Sequence, residues 1–197
     1  MSLEVRPVTP DRWDDLVELF GFDRGAYSGC WCMWWRQTAK EYDRDHGASN
    51  RGAMQALVTG GREPGLLAYL GTEPVGWVSV APRDDFGRLD RSRILGRVDD
   101  EEVWSIVCFY IHRSHRRSGV GKALLDAAVG RAVERGARWV EAYPVDLDAA
   151  TAKKSSAELF TGTLAMFEEA GFEEVARRNP ARPVVRLRVR AKARAPR

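Results

Sequence analysis

Positions 103–135 read VWSIVCFYIHRSHRRSGVGKALLDAAVGRAVER and combine the patterns that decide the fold. Val103–Ile111 is almost uniformly apolar and aromatic, which predicts a central strand covered on both faces. Gly119–Arg135 carries apolar residues at helical spacing and is closed by Gly136, which predicts an amphipathic helix. The segment is therefore a buried strand, a glycine-containing loop and a helix, and we expect Trp104 near the centre of the sheet.

The loop of this segment has the spacing Arg116-x-x-Gly119-x-Gly121. Glycines let the backbone turn tightly and expose its N–H groups, and a helix start adds unsatisfied donors and a partial positive charge. Such a loop can bind a phosphate or pyrophosphate. The glycine spacing excludes the Walker loop and the three-glycine dinucleotide fingerprint. Taken alone, the loop is equally compatible with a plain connection from strand to helix.

The same patterns predict the remaining elements. Upstream we expect, in order, a strand at Leu3–Val8, a helix from Asp11 (its cap) to Phe20, a charged stretch at Arg36–Asp45, a helix at Asn50–Thr59, strands at Gly65–Leu70 and Val75–Val80, and a long polar connection at Ala81–Glu102. Downstream we expect a strand at Trp139–Tyr143, a loop at Asp146–Ser156, a helix at Leu164–Ala170, and a hairpin of Phe172–Val175 with Val184–Val189. This order predicts a mixed α/β (α+β) fold, with one domain at residues 1–190 and a basic tail at 191–197.

The composition of the 197 residues limits the function classes. No stretch approaches the roughly 20 apolar residues that span a bilayer, and the N-terminus lacks a signal-type apolar region. Three cysteines do not form a disulfide framework, so we expect a cytoplasmic protein. The net charge of +3 is concentrated near the end of the chain. We interpret these basic residues as a solvated terminus, and nucleic-acid binding ranks lowest among the functions considered: Arg186, Arg188, Arg190, Lys192, Arg194 and Arg197.

The run Phe109–Leu125 closely resembles the signature motif of the GNAT superfamily of acyl-CoA-dependent N-acetyltransferases. That motif is a strand ending in an aliphatic residue, then an arginine five positions on, Gly-x-Gly and a helix. Met166–Phe172 resembles the last helix of the family and its closing Gly-Phe. The resemblance implies a GNAT-like central mixed sheet flanked by helices on both faces. It also implies acetyl-CoA as co-substrate and transfer of an acetyl group to a primary amine of a small molecule or protein.

The resemblance also implies which residues bind the cofactor. The pantetheine arm would lie along the motif strand, with the Phe109 N–H polarising the acetyl carbonyl as an oxyanion-type donor. The residues implied for the arm and thioester are Phe109, Tyr110 and Ile111. Those implied for the pyrophosphate are Arg116, Arg117, Ser118, Gly119, Val120, Gly121 and Lys122.

Proton transfer is harder to assign from the sequence. An attacking alkyl amine has a pKa near 10 and must lose a proton before it reacts. Glu102 and Glu141 are candidate bases, although an exposed strand residue is the favoured interpretation of each. His112 and His115 adjoin the loop and are expected to contact phosphate or solvent.

The family usually has a tyrosine four residues before the glycine of the last helix, where it protonates the departing thiolate. Phe167 occupies that position here and cannot donate a proton. Tyr143 and Tyr110 are possible substitutes, and a thiol of pKa about 8.5 leaves tolerably well without help. The replacement keeps a second hypothesis open, in which the chain is a non-catalytic acyl-CoA-binding sensor or regulatory module.

The aromatic segment Cys30-Trp-Cys-Met-Trp-Trp35 gives weaker signals. Cys30 and Cys32 resemble half of a metal site, but the nearest further candidates, His46 and Cys108, are at no familiar spacing, so we expect no metal. The aromatic side chains either pack in the core or line an acceptor pocket, and we slightly favour the pocket: Trp31, Trp34 and Trp35. A homodimer paired through the closing strands is also possible.

Overall fold

The computed structural model describes residues 2–21, 25–44, 47–149 and 158–190. Within these residues seven strands form one mixed sheet: β1 (Leu3–Pro7), β2 (Gly65–Leu70), β3 (Glu73–Pro82), β4 (Val103–Ile111), β5 (Trp139–Ala142), β6 (Glu173–Ala176) and β7 (Val184–Arg188). The strand order is β1-β2-β3-β4-β5-β7-β6, so β4 is the central strand. The β4–β5 pair is parallel and every other pair is antiparallel.

Helices cover both faces of the sheet: α1 (Trp13–Phe20), α2 (Ala39–Asp43), α3 (Ala48–Thr59), α4 (Gly87–Asp90), α5 (Val120–Glu134) and α6 (Leu164–Glu169). The buried side chains form two clusters. One contains residues of α1, α3 and the aromatic segment, and the other contains residues of α5 and α6. The predicted mixed α/β class with helices on both faces is thereby confirmed. No helix that the structure describes is both long and apolar enough to cross a membrane.

The central strand β4 has its predicted bounds and is largely buried. Its neighbour β3 pairs with it from Gly76–Ile111 to Pro82–Trp104. A register shift between Ser79 and Val80 leaves Val107 opposite no single partner, as in a β-bulge. On its other side β4 pairs with β5 over only four residues, which end at Ile106. Half of β4 therefore has a strand on one side only.

Several predicted boundaries differ from the structure. Asp11 does not cap the first helix, because a 3-10 turn at Pro10–Arg12 precedes α1 and no side chain caps it. The charged stretch contains the short helix α2, whose start is a capping box of Thr38 and Glu41. The predicted polar connection is partly ordered as the end of β3, a 3-10 turn and α4. Of the predicted loop at 146–156, residues 150–156 lie outside the described residues.

The basic C-terminal residues do not act as one solvated tail. Arg186 lies in β7 and is only 6% exposed. Its guanidinium donates hydrogen bonds to Glu141 at 2.7 Å and to Asp99 at 2.6 Å. The interpretation of Arg186 as a solvated residue is therefore wrong. Residues 191–197 lie outside the described part of the chain.

Close packing of α5 on β3 depends on a glycine. A Cβ atom at Gly76 would lie 2.7 Å from Val120 Cγ1 and 3.0 Å from Leu124 Cδ1. We expect Gly76→Val to lower the free energy of unfolding by about 1–3 kcal/mol, because the helix must shift to make room. Gly130→Ala in α5, with no neighbouring atom within 4 Å, should raise it by about 0.5–1 kcal/mol. Denaturant unfolding measures both changes, and a neutral Gly76→Val would contradict this packing.

Candidate functional site

The C-terminal half of β4 presents its backbone to an open side of the sheet. The His112 N–H donates to Val75 O on β3, so even-numbered residues here bond towards β3. Alternate residues of a strand direct their backbone groups to opposite sides, so Phe109 and Ile111 face away from β3. Two contacts agree with this alternation: Val107 O accepts from Trp35 Nε1 at 3.1 Å, and Ile111 O accepts from Arg116 Nε at 3.4 Å. The Phe109 N–H is thus directed to the β5 side of the strand, beyond Ile106, where β5 no longer pairs with β4.

The predicted loop joins this strand to the start of α5. After a 3-10 turn at Arg113–His115, the backbone is left-handed at Arg117 (φ +60°) and at Gly119 (φ +85°). Gly119 immediately precedes α5, and no side chain caps the helix. The first N–H groups of a helix have no intrahelical acceptors, so they are available to a ligand here. Because the residues from Arg116 to Gly119 are exposed, the loop is an accessible anion-binding surface.

Side-chain contacts shape this loop from within. Ser118 Oγ donates to His115 O at 2.5 Å, and Arg116 Nη2 donates to the Tyr27 hydroxyl at 3.4 Å. His112 Nδ1 lies 2.6 Å from Ser114 Oγ. His115 Nε2 is 3.4 Å from a Glu73 carboxylate oxygen, which engages this histidine with the β2–β3 turn.

Lys122 follows in the first turn of α5. Its Nζ lies 3.6 Å from Asp126 on the exposed face of the helix. This contact between exposed groups contributes little stability, so it does not hold Lys122 away from an anion.

A cavity of about 500 Å³ adjoins the same half of β4. Its floor includes Cys108, Phe109 and Tyr110, the strand residues next to the open backbone. The remaining walls come from four parts of the chain: Ala26, Tyr27, Ser28, Cys30, Cys32, Trp34, Trp35 and Tyr42; Ser92, Ile94 and Leu95; Phe160; and Arg182. The volume falls within the usual range for small-molecule sites.

The three tryptophans of the aromatic segment have different positions. Trp31 is 1% exposed and stacks on Trp13 at 5.9 Å, so it belongs to the core. Trp34 and Trp35 line the cavity. The guanidinium of Arg88 lies 3.7 Å from the ring centroid of Trp34, so one face of that ring already carries a cation. The pocket interpretation therefore agrees with the position of two of the three residues.

The cysteines also meet at this cavity. Cys32 Sγ lies 3.3 Å from Cys108 Sγ and accepts a hydrogen bond from Trp77 Nε1 at 3.1 Å. The hydrogen bond with Cys32, together with burial, raises the pKa of the Cys30 thiol above its ordinary value. Within the described ranges, no three His, Cys, Asp or Glu side chains are grouped as metal ligands. His46, the fourth residue considered for such a site, lies outside those ranges.

Glu141 lies in a buried ion network, where its side chain is 1% exposed. It accepts hydrogen bonds from Arg83 at 2.9 Å, from Arg186 at 2.7 Å and from Tyr143 at 2.6 Å. Both carboxylate oxygens are therefore already engaged by buried donors. Glu141 is also absent from the cavity lining. The geometry gives no support to Glu141 as the base.

Tyr143 and Glu102 are also separate from the cavity. The Tyr143 hydroxyl is bonded to Glu141, Arg83 and Ser105. Burial, followed by the charge of Glu141, raises the pKa of Tyr143 well above its ordinary value. Glu102 is exposed and precedes β4, roughly 20 Å along the strand from Phe109 at about 3.3 Å per residue. The structure therefore does not bring Glu102, Glu141 and Tyr143 to the open half of β4.

Phe167 is a core residue. Its ring is fully buried and packs edge-to-face on Phe109 and Phe172, with centroids 6.2 and 5.0 Å away. Tyr110, in contrast, lines the cavity, and no hydrogen-bond partner of its hydroxyl is found in the described residues. Burial raises the pKa of the Tyr110 hydroxyl above its ordinary value. Of the two tyrosines considered as substitutes for the missing one, Tyr110 is the one that lines the cavity.

These features suit a cofactor with an amide-containing arm and a pyrophosphate, which is the class of acyl-CoA-dependent transferases. The chain belongs to the acetyltransferase (GNAT) family, whose family model matches residues 25–153. The resemblance seen in the sequence is thereby confirmed. The chain is accordingly an acyltransferase of this family, and GNAT enzymes use acetyl-CoA as co-substrate. No curated protein matches the sequence significantly.

Solved structures share the fold at low sequence identity. PaiA N-acetyltransferase from Thermoplasma acidophilum, in complex with coenzyme A, has a TM-score of 0.54 at 12% identity, and the match covers 96% of this chain and 100% of that one. A GNAT-family acetyltransferase from Listeria monocytogenes 4b F2365 has a TM-score of 0.58 at 11% identity, covering 95% of both chains. Ribosomal-protein-alanine N-acetyltransferase from Brucella melitensis has a TM-score of 0.52 at 16% identity, covering 94% and 99%. At these identities the likeness establishes the fold.

Glu141 and Glu102 should differ in how much each contributes to the free energy of unfolding. Glu141→Ala leaves Arg83 and Arg186 buried without their shared carboxylate and should lower the free energy of unfolding by about 3–5 kcal/mol. Glu102→Ala removes an exposed side chain and should change it by less than about 0.5 kcal/mol. Denaturant unfolding of the two variants provides the comparison. A Glu141→Ala protein as stable as Glu102→Ala would contradict the buried network.

Proposed function

We propose that the chain transfers the acetyl group of acetyl-CoA to a primary amine bound in the cavity beside β4. The observation that carries the proposal is the direction of the Phe109 N–H. This N–H faces the open side of β4. Phe109 belongs to the floor of the cavity, and its strand leads directly into the exposed anion-binding loop. The pantetheine would pair with this half of the strand, and Gly119–Lys122 at the helix start would hold the pyrophosphate. Arg116 and Arg117 would supply the neutralising charge.

In the proposed reaction the amine nitrogen attacks the thioester carbonyl carbon. The new C–N bond forms as the carbonyl electrons move to oxygen, where the Phe109 N–H stabilises the charge. The C–S bond then breaks, and the coenzyme A thiolate takes a proton from the Tyr110 hydroxyl. The Tyr110 oxygen then regains a proton from solvent. The described cavity lining holds no carboxylate or imidazole, so water accepts the proton that the amine loses.

The cofactor site is tested at Gly121. Gly121→Glu places a carboxylate at the helix start, and a Cβ there already lies 3.3 Å from Ile111 Cδ1. We expect acetyl-CoA binding, measured by titration calorimetry, to be lost. The matched control is Gly130→Glu, at an exposed position of the same helix, which should keep its affinity. Unchanged affinity in Gly121→Glu would refute the site.

Turnover is tested in parallel by thiol release from acetyl-CoA with a panel of amines. Release that depends on the amine supports acetyl transfer. A specific observation favours the alternative of a non-catalytic acyl-CoA-binding module: the family's usual tyrosine position is a fully buried phenylalanine, Phe167. Binding without turnover across a broad panel would support that alternative.

The proposed proton donor is tested with Tyr110→Phe. We expect kcat to fall about tenfold to a hundredfold, below or at the low end of general-acid effects because a thiolate leaves readily. The affinity for acetyl-CoA should not change. Tyr69→Phe is the control, since Tyr69 donates to Asp15 and does not line the cavity. A kcat equal to that of wild type would remove Tyr110 from the mechanism.

A further inference from the structure

The cavity has an apolar lining with one charged side chain. Of the described residues that form its walls, Arg182 alone carries a charge. A single cation in an apolar pocket selects for a ligand with a negative group, because ion pairing recovers part of the free energy lost on burial. We propose that the acceptor is a free amino acid whose carboxylate is bound by Arg182. This inference rests on the proposed function and specifies its substrate class.

Two neutral oxygens hold the Arg182 guanidinium in place. Nη1 donates to Thr161 Oγ1 at 2.8 Å, and Nη2 donates to the backbone carbonyl of Glu158 at 3.3 Å. Among the described residues no carboxylate forms an ion pair with it, although the charge of Glu158 acts on it from nearby. Burial lowers the pKa of Arg182, which reflects incomplete compensation of its charge. A guanidinium has five donors in a planar fork, so N–H groups remain for a bidentate carboxylate.

Neighbouring arginines of the β6–β7 hairpin show that Arg182 is exceptional. Arg177 is paired with Glu174 and Asp146. Arg186 is paired with Glu141 and Asp99. Arg178 is exposed and donates to three backbone carbonyls of the segment from Ile94 to Arg97. Arg182 is thus the arginine of this hairpin that is both directed into a cavity and without an acidic partner in the described residues.

Arg182 and the proposed pyrophosphate loop are anchored to different parts of the chain. The proposed pyrophosphate loop is anchored at Ile111 and Tyr27 through Arg116. Arg182 is anchored instead to the turn at 158–161, which leads into α6. Trp34, Trp35 and Phe160 line the space beside it. The acceptor is therefore expected to combine an amine, a carboxylate and an apolar side chain, as phenylalanine does.

The test compares acceptors with and without a free carboxylate next to the amine. With acetyl-CoA saturating, thiol release is measured with phenylalanine, phenylalaninamide and a peptide with N-terminal phenylalanine. We expect kcat/KM for phenylalanine to exceed that for the amide by roughly tenfold to a hundredfold, the range expected for a charge-assisted pair. Equal values, or a preference for the peptide, would overturn the proposal while leaving acetyl transfer intact.

The variants Arg182→Met and Arg182→Lys test the residue itself. In both, KM for phenylalanine should rise and the preference over the amide should disappear or shrink, with Lys retaining more than Met. A merely structural role would lower activity with both acceptors equally, and a loss of acetyl-CoA affinity would assign Arg182 to the cofactor. Either result refutes the proposal. Arg188→Met, at an exposed β7 position outside the cavity, is the control and should behave as wild type.

Binding without turnover separates this proposal from the proposed function. Calorimetry on protein saturated with coenzyme A should show that phenylalanine binds and that phenylalaninamide binds at least tenfold more weakly, since the amide lacks the charge. If thiol release is absent with every amine but this Arg182-dependent binding is seen, acetyl transfer fails and the carboxylate site is supported. If neither acceptor binds, the carboxylate site is refuted.

Discussion

The pairing of β4 with β5 over only four residues is the constraint on which the rest of the site depends. Backbone groups in a sheet are normally satisfied by strands on both sides, so a central strand with an unpaired half carries donors and acceptors that need partners. The protein satisfies some of them itself. Trp35 Nε1 donates a hydrogen bond to the Val107 carbonyl at the bulge, and Arg116 Nε donates one to the Ile111 carbonyl. Between these two contacts the Phe109 N–H is directed away from β3, beyond the point where β5 stops pairing.

The strands β4 and β5 separate after Ile106, so their relative position depends on the end where they still pair. There Glu141 on β5 joins Arg83, which follows β3, to Arg186 on β7. Each of these charges would be unfavourable alone in the interior, and together they satisfy one another. The network fixes the closed end of the sheet, while the aromatic segment, the turn at 158–161 and the β6–β7 hairpin surround the open end. The same sheet thus has an ion-paired polar end and an end that borders the cavity.

Local patterns account for what the sequence predicted well. Val103–Ile111 and the loop after it are specified by neighbouring residues, so their bounds and the helix that follows agree closely with the structure. The buried position of Glu141 cannot be predicted from the sequence because its partners are distant: Arg83 is 58 residues away and Arg186 is 45 away. Strand alternation cannot tell which charged residues meet in the interior. Arg182 was not singled out for the same reason, since its significance arises only from the cavity that distant segments enclose.

Phe167 shows how a departure from a family pattern can be read from packing. Its ring lies between Phe109 and Phe172, and a hydroxyl at its position would be buried in an apolar cluster. An unpaired buried hydroxyl is unfavourable, so this core favours phenylalanine independently of catalysis. A hydroxyl beside the cavity is provided instead from the other face of β4. Because successive side chains of a strand alternate between faces, the residue after Phe109 lies on that face, and that residue is Tyr110.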